Sequence, residues 1–404
     1  MSREKYLSMN KNFNGYSFAN IGLFTGFGTG IVNAVYSLVV FDIFRMFFSE
    51  NSASVAVGVY AAIYAIFASI VGIVSAEFLH RFTKVQLLYL SLFILGACYS
   101  MMSFSIKPGT FISLDYIANF GVTMAGVLIP LFISDFSKDV GMAKVNARYH
   151  LWVNVGALIA PMFAMNIVNK FDGNYRAPLL AAGMIYFSGM LFFKHFGIVQ
   201  QEKVLKRINI RKTLRALRIN AKEYFNKAGM LRAYIVNFGF YALRAMRILY
   251  VPIVVVENGF SNDTLGLILS IGILPYVFID LFIGNWIKKY GIKIFLTMGF
   301  LSFALFSFVA MFASGYLLLS IFILWQISGA LMEAAHDLLF FNGMKRSDQA
   351  RFYGIFRTSM NLPSVVAPVF GALCIALFGS VSAVWLITAV VGILSTMVLW
   401  SKTK

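Results

Sequence analysis

The sequence predicts an all-α, polytopic membrane protein built from two pseudo-symmetric six-helix bundles. Three observations predict it. Of 404 residues, 60% are hydrophobic and only 12% are charged, against about 45–50% and about 25% in a water-soluble globule. Apolar runs of about 20 residues recur along the whole length, each long enough to cross about 30 Å of hydrocarbon. Finally, NVGALIAPMFAM at Asn154–Met165 returns as NLPSVVAPVFGA at Asn361–Ala372, with Asn, Ala, Pro and Phe at matching places. The same offset carries Glu50-Asn51 onto Glu257-Asn258, Asp135 onto Asn342 and Lys138 onto Lys345, and Gly58 meets Gly266 one residue further on. Such an echo is the mark of an internal repeat.

Twelve spans are expected, at 18–46, 55–78, 86–105, 111–135, 147–169 and 177–197, then 233–256, 264–287, 294–313, 316–341, 354–378 and 381–401. They divide the chain into a first bundle over 1–197, a basic linker over 198–232 and a second bundle over 233–404. Residues 1 to 16 are polar and the first apolar stretch is too long for a signal core, so no cleavable leader is expected.

The net charge of +18 argues against a nucleic-acid module because the cations gather in alternate loops. Arg3, Lys5 and Lys11 precede the first span, Arg81 and Lys84 follow the second, Lys288, Lys289 and Lys293 follow the eighth, and Lys345, Arg346 and Arg351 follow the tenth. The opposite loops hold Glu50, Asp172, Glu257 and Asp263. By the positive-inside bias both termini and the linker face the cytoplasm, which places the chain in the cytoplasmic (inner) membrane. The linker carries Lys203 to Lys227 with only Glu202 and Glu223 opposing, and its apolar residues recur at roughly helical spacing. It reads either as a helix on an anionic leaflet or as a solvated tether.

Along the first bundle, Gly22, Gly26 and Gly30 form a small-residue stripe suited to close helix packing, with Asn20, Thr25, Thr29 and Asn33 adding polar atoms. Gly26 to Gly30 looks superficially like a nucleotide loop, but it lies inside an apolar span without strand-turn-helix context. Asp42, Arg45 and Asp115 fall near span ends and carry little weight. Cys98 and Cys374 lie in different spans with no Cys or His cluster near them, so neither a disulfide framework nor a metal site is expected.

Two loops and one span carry a family resemblance. The loop after the second span reads Ala76-Glu-Phe-Leu-His80-Arg81-Phe-Thr83-Lys84, and its partner after the eighth reads Gly284-Asn-Trp-Ile-Lys288-Lys289-Tyr-Gly291-Ile-Lys293. Here the chain resembles the major facilitator superfamily, whose signature in this loop is G-x-x-x-D-R/K-x-G-R/K-R/K. The second copy keeps Gly284, Lys289, Gly291 and Lys293, whereas the first has Ala76, His80 and Thr83 where Gly, Asp and Gly are usual. The resemblance implies gating loops at Arg81, Lys84, Gly284, Lys288, Lys289 and Gly291. The fifth span, with Gly156, Ala160, Pro161 and Ala164, resembles the family's antiporter motif G-x-x-x-G-P-x-x-G-G, which implies export by exchange; simple helix packing explains the same residues. The resemblance covers nearly the whole chain and implies a central cavity lined by the first and seventh spans.

An ionisable side chain deep in a span costs about 2.5–3.5 kcal/mol on insertion scales, so those present are functional candidates. Arg244 and Arg247 of the seventh span lie roughly 16 to 21 Å from its cytoplasmic edge at 1.5 Å per residue, on one helix face. They read either as contacts for a carboxylate or phosphate or as structural partners of Asp280 or the tenth-span acids. Asn33, Tyr36 and Tyr241 are further candidate substrate contacts. The tenth span brings Glu333, His336 and Asp337 to one face, and with Asp280 these form a candidate proton-coupling set; a fixed salt-bridge network is the alternative. Arg148, His150 and Arg357 read as interface anchors.

The expected function is secondary active transport: a monomer that moves a small organic substrate, anionic or amphiphilic, outward across the bilayer by alternating access coupled to protons. No cofactor, metal or nucleic acid is expected as a partner, and no G-x-x-x-x-G-K-S/T occurs for ATP. A lipid or lysolipid translocator is the alternative, and a transport-dead sensor or a polytopic enzyme are lesser ones. The four histidines are scattered, and enzymic chemistry at a membrane face needs a clustered set.

Overall fold

A computed structural model describes residues 18–136, 142–195, 210–333, 335–344 and 346–401. The described residues form helices and no strand. Among the described residues, twelve helices are long and apolar enough to cross a membrane: Ile21–Arg45, Glu50–Ser75, Lys84–Phe104, Pro108–Ile133, Arg148–Lys170, Ala177–Lys194, Gly229–Glu257, Asn262–Ile279, Ile292–Ala310, Gly315–Gly343, Ile355–Phe378 and Val381–Trp400. They are numbered as spans 1 to 12 below. The expected spans all appear, and the chain is a multi-pass membrane protein.

By contacts the chain falls into two compact units. Unit 1 is Met1–Val39, Ile66–Ile208 and Asn262–Ser270; unit 2 is Val40–Ala65, Asn209–Ser261 and Ile271–Lys404. Each unit therefore contains a short piece from the other sequence repeat. Within unit 1, span 3 packs against spans 4 and 6; within unit 2, span 9 packs against spans 10 and 12. The neighbour pattern is the same in both. Phe303 of span 9, Trp325 of span 10 and Trp385 of span 12 fill the second of these interfaces, with ring centroids 5.2 Å and 4.6 Å from Trp325.

The glycine stripe of span 1 lies against span 5 within unit 1. A Cβ added at Gly26 would strike the Val153 backbone, one at Gly30 the Ala160 side chain, and one at Gly156 would fall 2.5 Å from the Phe27 nitrogen. Ala160 and Ala164 are fully buried, so the small residues let two helix backbones approach closely, as dispersion packing in lipid requires.

The echoed twelve-residue segments have a structural counterpart. In unit 2, Gly58 of span 2 lies on span 11: a Cβ there would come within 2.7 Å of the Pro368 carbonyl and 3.0 Å of Ala372. In unit 1, Gly266 of span 8 lies on span 5, where a Cβ would come within 3.1 Å of Met165 and 3.2 Å of Met162. Each echoed segment thus receives the paired glycine from the other repeat.

Two spans depart from the expected continuous helices. Span 8 is interrupted between Ile271 and Leu274, because Pro275 has no N–H to donate to the Ile271 carbonyl. Span 10 is interrupted at Ala335, between segments Gly315–Glu333 and His336–Gly343; Ala335 N–H donates to the Met332 carbonyl at 3.0 Å, a tightened final turn. No Gly or Pro marks this second break.

Between the bundles, Ile210–Phe225 is a helix. Tyr224 at its end is fully buried among Met230, Phe340, Phe352 and Phe356, and its hydroxyl donates to the Met230 carbonyl at 3.1 Å. Burial pushes the Tyr224 phenol above its ordinary range, so it stays a donor. The linker is docked at this end instead of being a free tether.

Candidate functional site

Unit 2 gathers a polar set around the face of span 7 that carries both arginines. The Arg244 guanidinium pairs with Glu333 of span 10 at 3.0 Å, and the two side chains are 43% and 35% exposed. One turn on, the Arg247 guanidinium donates to the Tyr276 hydroxyl at 2.6 Å and to the Gln326 side-chain carbonyl. It also lies 5.6 Å from the Tyr276 ring centroid, so the phenol meets the cation with both its oxygen and its ring.

The helix breaks make this arrangement possible. Gly272 lies at the interruption of span 8, and a Cβ there would come within 2.7 Å of the Gln326 amide; without one, Gln326 approaches and Tyr276 follows one turn later. Gly329 is packed under the Tyr276 hydroxyl in the same way, and its Cβ position is 3.5 Å from Arg247. At the interruption of span 10, Glu333 ends one segment and His336 begins the next. His336 is 4% exposed, its ring centroid 4.3 Å from Phe240 and 5.5 Å from Tyr241. Interrupted membrane helices bring backbone dipoles and polar side chains to a point at mid-depth.

Of the residues singled out from sequence, Arg244, Arg247, Tyr241, Glu333 and His336 come together here. The side chains of Asp280, Asp337 and Gly284 lie outside the described residues. Asn33 and Tyr36 belong to unit 1: Asn33 is exposed, and the Tyr36 hydroxyl donates to Asp115 at 2.8 Å. Asp115, given little weight above, is fully buried.

In the loops, Arg81, Lys288 and Lys289 are exposed and Lys84 is half-buried, with Lys289 5.0 Å from the Tyr290 ring centroid. Gly291 has φ +86° and alone separates the helix Leu274–Tyr290, which continues span 8, from span 9, a conformation that suits glycine. Gly156, Ala160, Pro161 and Ala164 serve the contact with span 1 or the buried interior around it.

Gln326, Tyr276 and Gly272 were not singled out from sequence. Gln326 precedes Glu333 by two helical turns and shares its face, a spacing that could have flagged it. Tyr276 and Gly272 carry no such mark, since a tyrosine and a glycine are ordinary in a span.

A second feature of unit 2 is an open groove lined by Phe44, Val55, Val59, Tyr60, Ile63 and Ile375 among others, with Asn51 and Ser52 on its wall.

Twelve spans and a charged, hydrogen-bonded set midway along span 7 are the features to set beside known proteins. Residues 233–404 match the model of the Major Facilitator Superfamily, and the whole chain has the fold of solved transporters. It aligns with a D-xylose-proton symporter at 16% identity and TM-score 0.75, over 96% of this chain and 97% of that one. A POT family transporter in complex with 5-aminolevulinic acid aligns at 14% identity and TM-score 0.75, over 94% of each chain. The nucleoside transporter NupG aligns at 14% and 0.67, over 96% of this chain and all of that one. No curated protein matches significantly in sequence. The second half of the chain thus resembles that superfamily in sequence, and the whole chain shares the fold of these transporters.

Proposed function

We propose that the chain moves a small organic anion or amphiphile outward across the cytoplasmic membrane by alternating access, coupled to protons. The observation that carries this reading is the pairing of Arg244 with Glu333 beside Arg247, at the two interrupted spans. Protonation of Glu333 would release the Arg244 guanidinium for a carboxylate, sulfonate or phosphate on the substrate, and deprotonation would take it back. The Glu333 carboxylate and the substrate anion then compete for one cation, so a proton on Glu333 and an anion on Arg244 are taken up together, which is the arithmetic of coupling. Tyr241 and Tyr276 supply rings for an organic body. Asp280 and Asp337 are proposed as further proton acceptors and Asn33 as a substrate contact of the first bundle, while Tyr36, whose hydroxyl is held by Asp115, is assigned to packing.

The alternation is proposed to run between duplicated bundles over 1–197 and 233–404, with both termini cytoplasmic and the chain acting as a monomer. The gating loops at Arg81, Lys84, Gly284, Lys288, Lys289 and Gly291 would open and close one side, and the span 5 motif supports exchange. Proteoliposomes with an imposed pH gradient test the reading. A flux of organic anion that follows the gradient supports it, and flux indifferent to the gradient removes the proton.

The apolar groove on spans 1, 2 and 11 favours a second reading, translocation of a lipid or lysolipid. Scrambling of a fluorescent lysolipid by the reconstituted protein, with no movement of water-soluble anions, would select it.

A further inference from the structure

We propose that the linker helix Ile210–Phe225 binds the anionic phospholipid head groups of the leaflet beside it. Its sequence runs as two adjacent stripes at helical spacing. Ile210, Leu214, Leu217, Ala221 and Tyr224 form the apolar stripe, and Arg211, Arg215, Arg218 and Lys222 form the basic one. Lys212 adds a cation and Glu223 is the only acid in the helix.

The structure fixes where this helix lies. Ala221 and Tyr224 pack onto Met230 and Ala233 at the start of span 7, Phe340 and Met344 at the end of span 10, and Phe352, Ile355 and Phe356 at the start of span 11. Tyr224 is five residues before Gly229, where span 7 begins. The docked end is thus held at the level where three spans leave the hydrocarbon. Lys227 pins the junction, 4.8 Å over the Phe352 ring and 3.7 Å from Glu223.

Away from the dock, Arg218 and Lys222 are exposed. So is Ile219, at 57%, while Phe225, its ring 5.1 Å from Tyr234 at the edge of the dock, is 39% exposed. Exposed cations beside exposed Ile and Phe, at the boundary of the hydrocarbon, match a partner that is anionic at its surface and apolar just beneath. A phospholipid leaflet has both layers, whereas a nucleic acid offers no apolar layer to Ile219. The grip also bears on the polar site by packing, because Phe340 of the dock and His336 lie one turn apart in the same short helix, His336–Gly343.

The test uses the full chain with Ile219→Cys carrying an environment-sensitive NBD dye; Cys98 and Cys374 are buried in spans. Reconstitution into nanodiscs of pure phosphatidylcholine is compared with nanodiscs containing one third phosphatidylglycerol. The dye is expected to brighten and shift to the blue in the anionic bilayer, and to revert in high salt. Arg218→Gln with Lys222→Gln weakens the response about 25-fold, at about fivefold for each surface charge. Equal emission in the two bilayers, or a response that survives the double substitution, would overturn the proposal. So would a blue shift in pure phosphatidylcholine on adding polyglutamate, which would assign the surface to acidic protein. The lipid comparison needs neither substitution, so it stands even if the double variant folds poorly, and its readout is independent of transport.

Discussion

Spans 1 and 4 of the first bundle and spans 7 and 10 of the second each hold a polar tie, and the two are made of opposite materials. Tyr36 and Asp115 meet at 2.8 Å with Asp115 fully buried. Arg244 and Glu333 meet at 3.0 Å with 43% and 35% of their side chains exposed. The first is sealed into the packing of unit 1, on helices that run unbroken. The second is open and stands beside a helix interruption, with Arg247 held one turn away by Tyr276 and Gln326. A sealed carboxylate contributes to architecture, while a reachable ion pair can exchange its partner for a ligand. Corresponding spans of a duplicated chain thus hold different ties, and in the proposed mechanism the second bundle's tie is the one that exchanges.

The sharpest way to break this comparison is to remove a guanidinium. Arg244→Gln or Arg247→Gln is expected to lower organic-anion flux about ten- to a hundredfold, as when a hydrogen bond to a charged group is lost, while size-exclusion profiles stay unchanged. A loss of less than threefold in both variants would make the ion pair structural. On the other side, Tyr36→Phe deprives the buried Asp115 of a donor and should cost about 2 kcal/mol of stability. It should leave flux within threefold of the wild type, as measured by thermal unfolding in detergent alongside transport. If Tyr36→Phe instead abolished flux and left the melting temperature alone, the division of labour would be reversed.

The loops that join spans 2 to 3 and 8 to 9 extend the comparison at smaller magnitude. The second-bundle turn is closed by Gly291 at φ +86°, and the first-bundle turn by a capping box. There the Thr83 hydroxyl accepts from the Gln86 N–H at 3.2 Å, and the Gln86 side-chain carbonyl accepts from the Thr83 N–H at 3.1 Å. Gly291→Ala forces an L side chain into the left-handed region and should cost about 1–2 kcal/mol. Thr83→Ala removes one cap and should cost about 1 kcal/mol. Equal tolerance of both substitutions in a thermal-shift series would show that neither turn is held by the device assigned to it.

Legibility in the sequence followed the physics of each signal. The twelve spans were legible because a bilayer demands long apolar runs, and Arg244, Arg247 and Glu333 were legible because charge is rare inside them. Thr83 read only as a departure from a glycine, since a capping box needs the helix start to be known. The interruption of span 8 has a local cause in Pro275, yet its consequence, the approach of Gln326 to Gly272, is a contact between helices that no single-span pattern contains. The interruption at Ala335 has no residue signature at all. Tyr276 was hidden for a related reason: a tyrosine in a span is as often packing as ligand, and only its hydroxyl on Arg247 separates the two.

The central claim, that Glu333 takes up a proton as substrate binds Arg244, is tested most directly by one variant. Proteoliposomes carrying a pH dye in their lumen, challenged with membrane-impermeant organic sulfonates and phosphates, report substrate-driven proton movement without passive leakage of weak acids. The wild type should move protons with at least one such anion, and Glu333→Gln should bind and exchange that anion while moving no protons. Proton movement in Glu333→Gln equal to that of the wild type would contradict the account.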